Sequence, residues 1–148
     1  ATVASLWAGI GAMRVGGRLY AVGEAIEASI LASGERDGRE YGIVEEYVGH
    51  AIGQEMHLDP QIPNYGVQGK GPILANGFTG ALEPMITLGS PDNRVLDDDW
   101  TVITVDGSRA SHWEHTVAIR DGGAWVLTAL DGGEAKLTEL GIPYAPIR

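Results

Sequence analysis

Tyr47-Val48-Gly49-His50-Ala51-Ile52-Gly53-Gln54-Glu55-Met56-His57-Leu58-Asp59-Pro60, continuing Gln61-Ile62-Pro63-Asn64-Tyr65-Gly66, is the stretch around which the chain is organised. Residues 41 to 48 are rich in β-forming side chains and predict a strand that runs into a turn at His50. Pro60 and Pro63 deny the backbone a helix and set an extended path out of that turn. Gly49 and Gly53 flank the first histidine and allow close backbone approach. A histidine in this setting is a metal ligand, a proton shuttle or a buried ring with one satisfied nitrogen.

Two acids further on bear on that choice. Glu83 lies in Ala81-Leu82-Glu83-Pro84-Met85-Ile86-Thr87-Leu88 and Glu114 in Ser111-His112-Trp113-Glu114-His115-Thr116-Val117. Each is a single carboxylate in an apolar, strand-like run, where burial is costly unless the charge is paired or bound to a metal.

Before this stretch the pattern is helical. Val3, Leu6, Trp7, Ile10 and Met13 share one face of a helix over about 2 to 14, ended by Gly16-Gly17. A second helix is expected from Leu19, with Val22, Ile26 and Ile30 four apart and Gly34 as its cap. Residues 35 to 40 predict a loop. After the stretch, the glycine-rich 66 to 77 predicts a surface loop; its Gly69-Lys70-Gly71 lacks the Ser or Thr and the upstream glycine of a phosphate loop. Residues 78 to 88 predict a bent strand, and Asp97-Asp98-Asp99 a solvated turn. Residues 100 to 105 and 112 to 119 predict a hairpin, extended by 124 to 128 after Asp121-Gly122-Gly123. The tail from Asp131 predicts an irregular strap. The expected fold is α+β in one domain, 1–148: helices over about 2–33, an antiparallel sheet over about 41–128 and a tail over 129–148.

At 148 residues the chain is long enough for a sizeable core. Its formal charge of −10 argues against nucleic acid and against anionic membrane surfaces. No apolar run approaches the ~20 residues of a membrane span. With no cysteine, metal ligands can come only from His and carboxylates; this suits a cytoplasmic setting. The chain begins with Ala and an abrupt helix, which predicts either further sequence upstream in a parent protein or a relative cut down to this length.

One imidazole and two carboxylates, His50, Glu83 and Glu114, on separate β elements suit one divalent ion, Mn, Fe, Co or Zn, with positions open for water and substrate. Such an ion favours hydrolysis. His57 and His115 would stand near it, to donate a hydrogen bond or orient a ligand, although alternation turns His115 away from Glu114 and leaves it open as a core or sheet residue.

Gly49-His50-Ala51-Ile52-Gly53, Met56-His57-Leu58-Asp59-Pro60, Leu82-Glu83-Pro84-Met85, Asp99-Trp100-Thr101-Val102 and Trp113-Glu114-His115-Thr116 occur in the order and spacing of the type I methionine aminopeptidases, which the chain resembles to about Thr128. Gly107-Ser108-Arg109-Ala110 followed by His112-Trp113-Glu114 is similar to actinobacterial members. The resemblance implies a pita-bread fold, whose two related halves enclose a dinuclear metal site. His50, Glu83 and Glu114 match metal ligands, with Glu114 bridging the ions and Glu83 also accepting a proton. His57 matches the histidine that contacts the scissile peptide, Met56 and Trp100 the pocket for the first side chain, and His112 and His115 stand as candidates for the shell around the ligands. In that family a metal-bound hydroxide releases the N-terminal methionine.

The family's two aspartate ligands and a further histidine belong to an N-terminal half that has no counterpart here. The chain is therefore expected to work with a complementary N-terminal-half chain or as a homodimer, on a peptide or small-molecule substrate. In the second case the site holds one ion rather than two, or none, and serves another reaction or a binding role. Ala51 in place of glycine, Gln54 in place of a basic residue, and Gly80-Ala81 before Glu83 predict a reshaped site.

Overall fold

The computed structural model describes residues 1–147. Leu6 and Ile10 on α1 (Thr2–Ala12) and Val22, Ile26 and Ile30 on α2 (Tyr20–Asp37) are 1% exposed or less, so the four-residue spacing marks the buried stripes. The two helices cross where α1 carries Gly9: a Cβ there would lie 2.7 Å from Ile26 Cγ1 and 3.0 Å from Leu82 Cδ2. Gly34 does not cap α2. The helix runs on to Asp37 and ends at Gly38, φ +64°; Gly34 is needed because a Cβ would meet the returning chain, 2.6 Å from the Arg39 carbonyl oxygen. Among the described residues, no helix is long and apolar enough to cross a membrane.

Among the described residues ten strands follow: β1 (Gly42–Ile43), β2 (Gly49–Ala51), β3 (Leu58–Ile62), β4 (Thr79–Leu82), β5 (Met85–Thr87), β6 (Asn93–Val95), β7 (Val102–Thr104), β8 (Ala110–His112), β9 (His115–Arg120) and β10 (Gly123–Val126), then a short α3 (Glu134–Glu139). They form an antiparallel five-stranded sheet, β10-β9-β4-β2-β3, a three-stranded sheet, β1-β5-β8, and the β6-β7 pair. The fold is α+β.

Several expectations need correction. The strand predicted over 41–48 is only β1, and His50 lies within a strand rather than in a turn. Residues 58–62 form a strand despite Pro60, because β3 is at the sheet edge and the β2–β3 register shifts at His50/Ala51, leaving Asp59 and Pro60 without a partner. The expected hairpin of 100–105 with 112–119 does not form: β7 pairs with β6, and β8 with β5. Turn chemistry decides this, since the Asp98 carboxylate accepts from the N–H groups of Trp100 and Thr101 at 3.1 and 2.8 Å and closes the chain back on itself. The strap contains α3, which the Asp131 carboxylate starts by accepting from the N–H groups of Gly133 and Ala135, and which buries Leu137 completely.

Side-chain alternation splits the five-stranded sheet. Leu82 reaches Gly9 of α1, so Leu82 and its cross-strand partner His115 face the helices, with Val117 and Ile119 in the same row. Ala81, His50 and Thr116 therefore point to the opposite face. Gly49 sits between two strands; a Cβ there would collide with the Ala81 carbonyl oxygen and lie 3.1 Å from that of Ile62, whereas one at Gly53 would meet only Leu58 Cδ1, at 3.3 Å. Gly49→Ala is accordingly expected to destabilise the protein by about 2 to 3 kcal/mol and Gly53→Ala by a few tenths, read from urea melts; equal midpoints for the two variants would contradict this packing.

Candidate metal centre

The site forms where two pairs of strands break together. Leu82 stands opposite His115 in β4–β9, and Met85 opposite His112 in β5–β8. Two residues intervene on each side, so the register carries through the gap and sets Glu83 across from Glu114 and Pro84 across from Trp113. Pro84 has no N–H with which to continue the ladder, which frees the chain to bend there. Two carboxylates directly opposite one another repel unless a proton or a cation lies between them.

His50 completes the cluster from β2. One donor atom from each of His50, Glu83 and Glu114 lies within 4.8 Å of the others. His50 is 9% exposed, and its Nδ1 is 3.0 Å from the Ala51 carbonyl oxygen. A carbonyl only accepts, so Nδ1 carries the proton, and in the neutral ring Nε2 presents its lone pair toward Glu83 Oε1, 3.4 Å away. Burial pushes the Glu83 carboxyl up from 4.5 to about 7; the Glu114 charge adds to this and His50 opposes it. Imidazole with two carboxylates is a donor set of the kind that holds Mn, Fe, Co or Zn, and a cation would relieve the Glu83–Glu114 repulsion, so these residues fit a divalent ion.

The other candidates divide. His57 packs edge-on against His50 with ring centroids 4.5 Å apart. His112 Nε2 is 3.7 Å from Glu83 Oε2. His115 turns away: its ring stands 5.5 Å from that of Trp7, and Nδ1 is 2.7 Å from Thr128 Oγ1. Burial there holds its pKa below the usual histidine value, partly offset by Glu114. A cavity of about 510 Å³ adjoins Glu83 and His112 and is lined by Tyr47, Met85, Trp100 and Val102 among others. Trp100 is on this cavity although 86% exposed; Met56 is 68% exposed and not among its lining residues. Gly80, expected to mark a reshaped site, makes room for Ile62, whose Cδ1 would lie 2.6 Å from an added Cβ. Asn64, which no motif marks, is fully buried and hydrogen-bonded to the Glu83 backbone; its only signal in the sequence is a polar residue between Pro63 and Tyr65.

Residues 1–121 match the model of the family described as Metallopeptidase family M24. The chain belongs to that family. This M24 chain is 57% identical over 128 residues to methionine aminopeptidase 1 of Mycobacterium tuberculosis, which covers 86% of the chain and 48% of the relative. The crystal structure of methionine aminopeptidase from Thermotoga maritima superimposes with a TM-score of 0.77 at 42% identity, over 86% of this chain and 49% of that one. For that from Rickettsia prowazekii the TM-score is 0.78 at 34% identity, over 86% and 50%. The M24 chain thus spans about half the length of these relatives, as expected of the C-terminal half of a type I methionine aminopeptidase, and its α+β fold is half of their pita-bread fold.

Proposed function

We propose that this chain supplies the metal-holding wall and the proton-transfer groups of a methionine aminopeptidase, cleaving an N-terminal Met-Xaa peptide bond when a complementary polypeptide completes the site. The observation that carries this reading is the Glu83–Glu114 pair set face to face by strand register, with the His50 lone pair aimed at it. A bound divalent ion, Mn, Fe, Co or Zn, would supply Lewis acidity toward a carbonyl and lower the pKa of water. Within the chain, Glu83 is the proton acceptor, a carboxylate that belongs to the donor cluster and also borders the cavity. His57, whose ring packs edge-on against His50, is assigned in this reading as the donor to the substrate's scissile carbonyl. The cavity next to Glu83, with Met85 and Val102 in its wall, offers an apolar berth for a methionine side chain.

A second reading keeps the same donors in a homodimer with one ion per chain, or none, and a different reaction or a binding role. It is supported by all three donors lying on one chain and by Trp100 and Trp113 being 86% and 51% exposed, apolar surface that a second copy would cover. Native mass with elemental analysis, followed by assay on a Met-Ala peptide, separates the two. The first reading expects stoichiometric metal and methionine release only with the complementary chain added. The second expects a dimer at one ion per chain or fewer and no release. A metal-free monomer that stays inactive with the complementary chain would sink both.

A further inference from the structure

We propose that Asn64 is a positioning residue that fixes the Glu83 carboxylate in the site by clamping its backbone, an inference that rests on the metal-centre reading above. Asn64 is 0% exposed. Its Nδ2 donates to the Glu83 carbonyl oxygen at 3.2 Å, and its Oδ1 accepts from the Glu83 N–H at 3.3 Å. One side-chain amide thus does for Glu83 what a neighbouring strand does for a residue in a ladder. The need is local. β4 ends at Leu82 and β5 begins at Met85, while the β2–β4 register, His50 opposite Ala81, would carry on to put Val48 opposite Glu83; Val48 lies outside β2, and Asn64 takes its place.

Asn64 is itself held on a rigid seat. Gly23 of α2 lies directly beneath the segment: a Cβ there would collide with the Tyr65 carbonyl oxygen and fall 2.7 Å from that of Pro63. Tyr65 Oη donates to the Glu45 carbonyl oxygen at 3.3 Å. The chain of contact runs from helix through loop to the acid at the strand break. An acid held at both its N–H and its C=O can keep its side chain facing Glu114 across the gap, where repulsion would otherwise swing it out.

Asn64→Ala removes both hydrogen bonds without touching the carboxylate. In the metal-free chain, hydrogen exchange at the Glu83 amide should quicken at least tenfold, with the Val117 and Val126 amides unchanged. Titration with cobalt(II) alone should show affinity reduced ~10- to 100-fold, the usual effect of a group that orients a ligand, with an altered visible spectrum. Ile119→Val, a core change away from the site, serves as the control: stability falls, and cobalt affinity and spectrum stay at the parental values. Should Asn64→Ala fail to fold, Asn64→Asp keeps the acceptor for the Glu83 N–H and loses the donor, so the amide stays protected while cobalt binding weakens. An Asn64→Ala protein, or its Asp replacement, with parental cobalt affinity and spectrum overturns the proposal. If the parent itself binds no cobalt, the metal-centre reading fails, and exchange at Glu83 still decides the clamp: no acceleration in Asn64→Ala overturns it.

Discussion

Glu83→Gln is expected to abolish stoichiometric metal binding and, in the metal-free protein, to raise stability at pH 8 by about 2 to 3 kcal/mol relative to the parent. Loss of a carboxylate ligand accounts for the first effect. The second follows from the direction of the shift. In the folded chain the Glu83 carboxyl holds its proton up to about 7, against 4.5 when unperturbed, so between these values the folded state binds the extra proton. Its contribution is therefore fully favourable below about 4.5 and is lost as pH rises through about 7. Glutamine keeps the neutral shape at every pH. Urea melts of chelator-treated parent and variant at pH 4.5 and pH 8 read this directly, with the variant's advantage small at the lower pH and largest at the higher. His115 works with the opposite sign, its lowered pKa costing stability as pH falls, and it cancels in the difference. A parent-to-variant difference that is flat with pH would mean that the Glu83 carboxyl binds its proton no more tightly in the fold than in the unfolded chain.

His50→Ala should strip the metal and leave the fold standing. The ring supplies the buried nitrogen of the His50–Glu83–Glu114 cluster, with its tautomer set by the Ala51 carbonyl. Losing it removes a direct ligand, so affinity should drop beyond the ~100-fold that marks the loss of a merely orienting group. The backbone of β2 pairs through its own amides and is indifferent to the ring, and a cooperative melt should persist. His115→Ala provides the contrast. That ring faces Trp7 and Thr128 on the helix side, so metal content should remain at the parental value. Elemental analysis of the two variants side by side measures both, and metal retained in His50→Ala would remove His50 from the site.

The helices were legible because burial imposes a short period on sequence. Leu6, Ile10, Val22, Ile26 and Ile30 recur every four residues, and the structure buries them all. The β9–β10 pair was legible for the same reason, since Val117 and Ile119 alternate with more polar neighbours and Asp121-Gly122 marks the turn. Where local chemistry and long-range pairing compete, sequence reading failed. Pro60 spoke against a strand, but an edge strand with a bulge tolerates proline. Residues 100 to 105 are rich in β-forming side chains and could serve as a hairpin arm in either direction; the carboxylate of Asp98, three residues before Thr101, chose the direction. Asn64 carried no periodic signal at all, because a side chain that hydrogen-bonds 19 residues away leaves no trace in its own neighbourhood.

By itself the sequence determined the residue types of the site, the exclusion of thiolate ligands, and, through ordered motifs, the family. Which residues meet was decided in three dimensions. That Glu83 opposes Glu114 follows from a register set jointly by β4–β9 and β5–β8 and kept through a break of equal length on both sides. That His50 joins them, while His115 beside Glu114 does not, follows from the pleat, which sends successive side chains to opposite faces of the sheet. Register and facing are properties of paired strands, and strands far apart in the chain become paired only when the core closes.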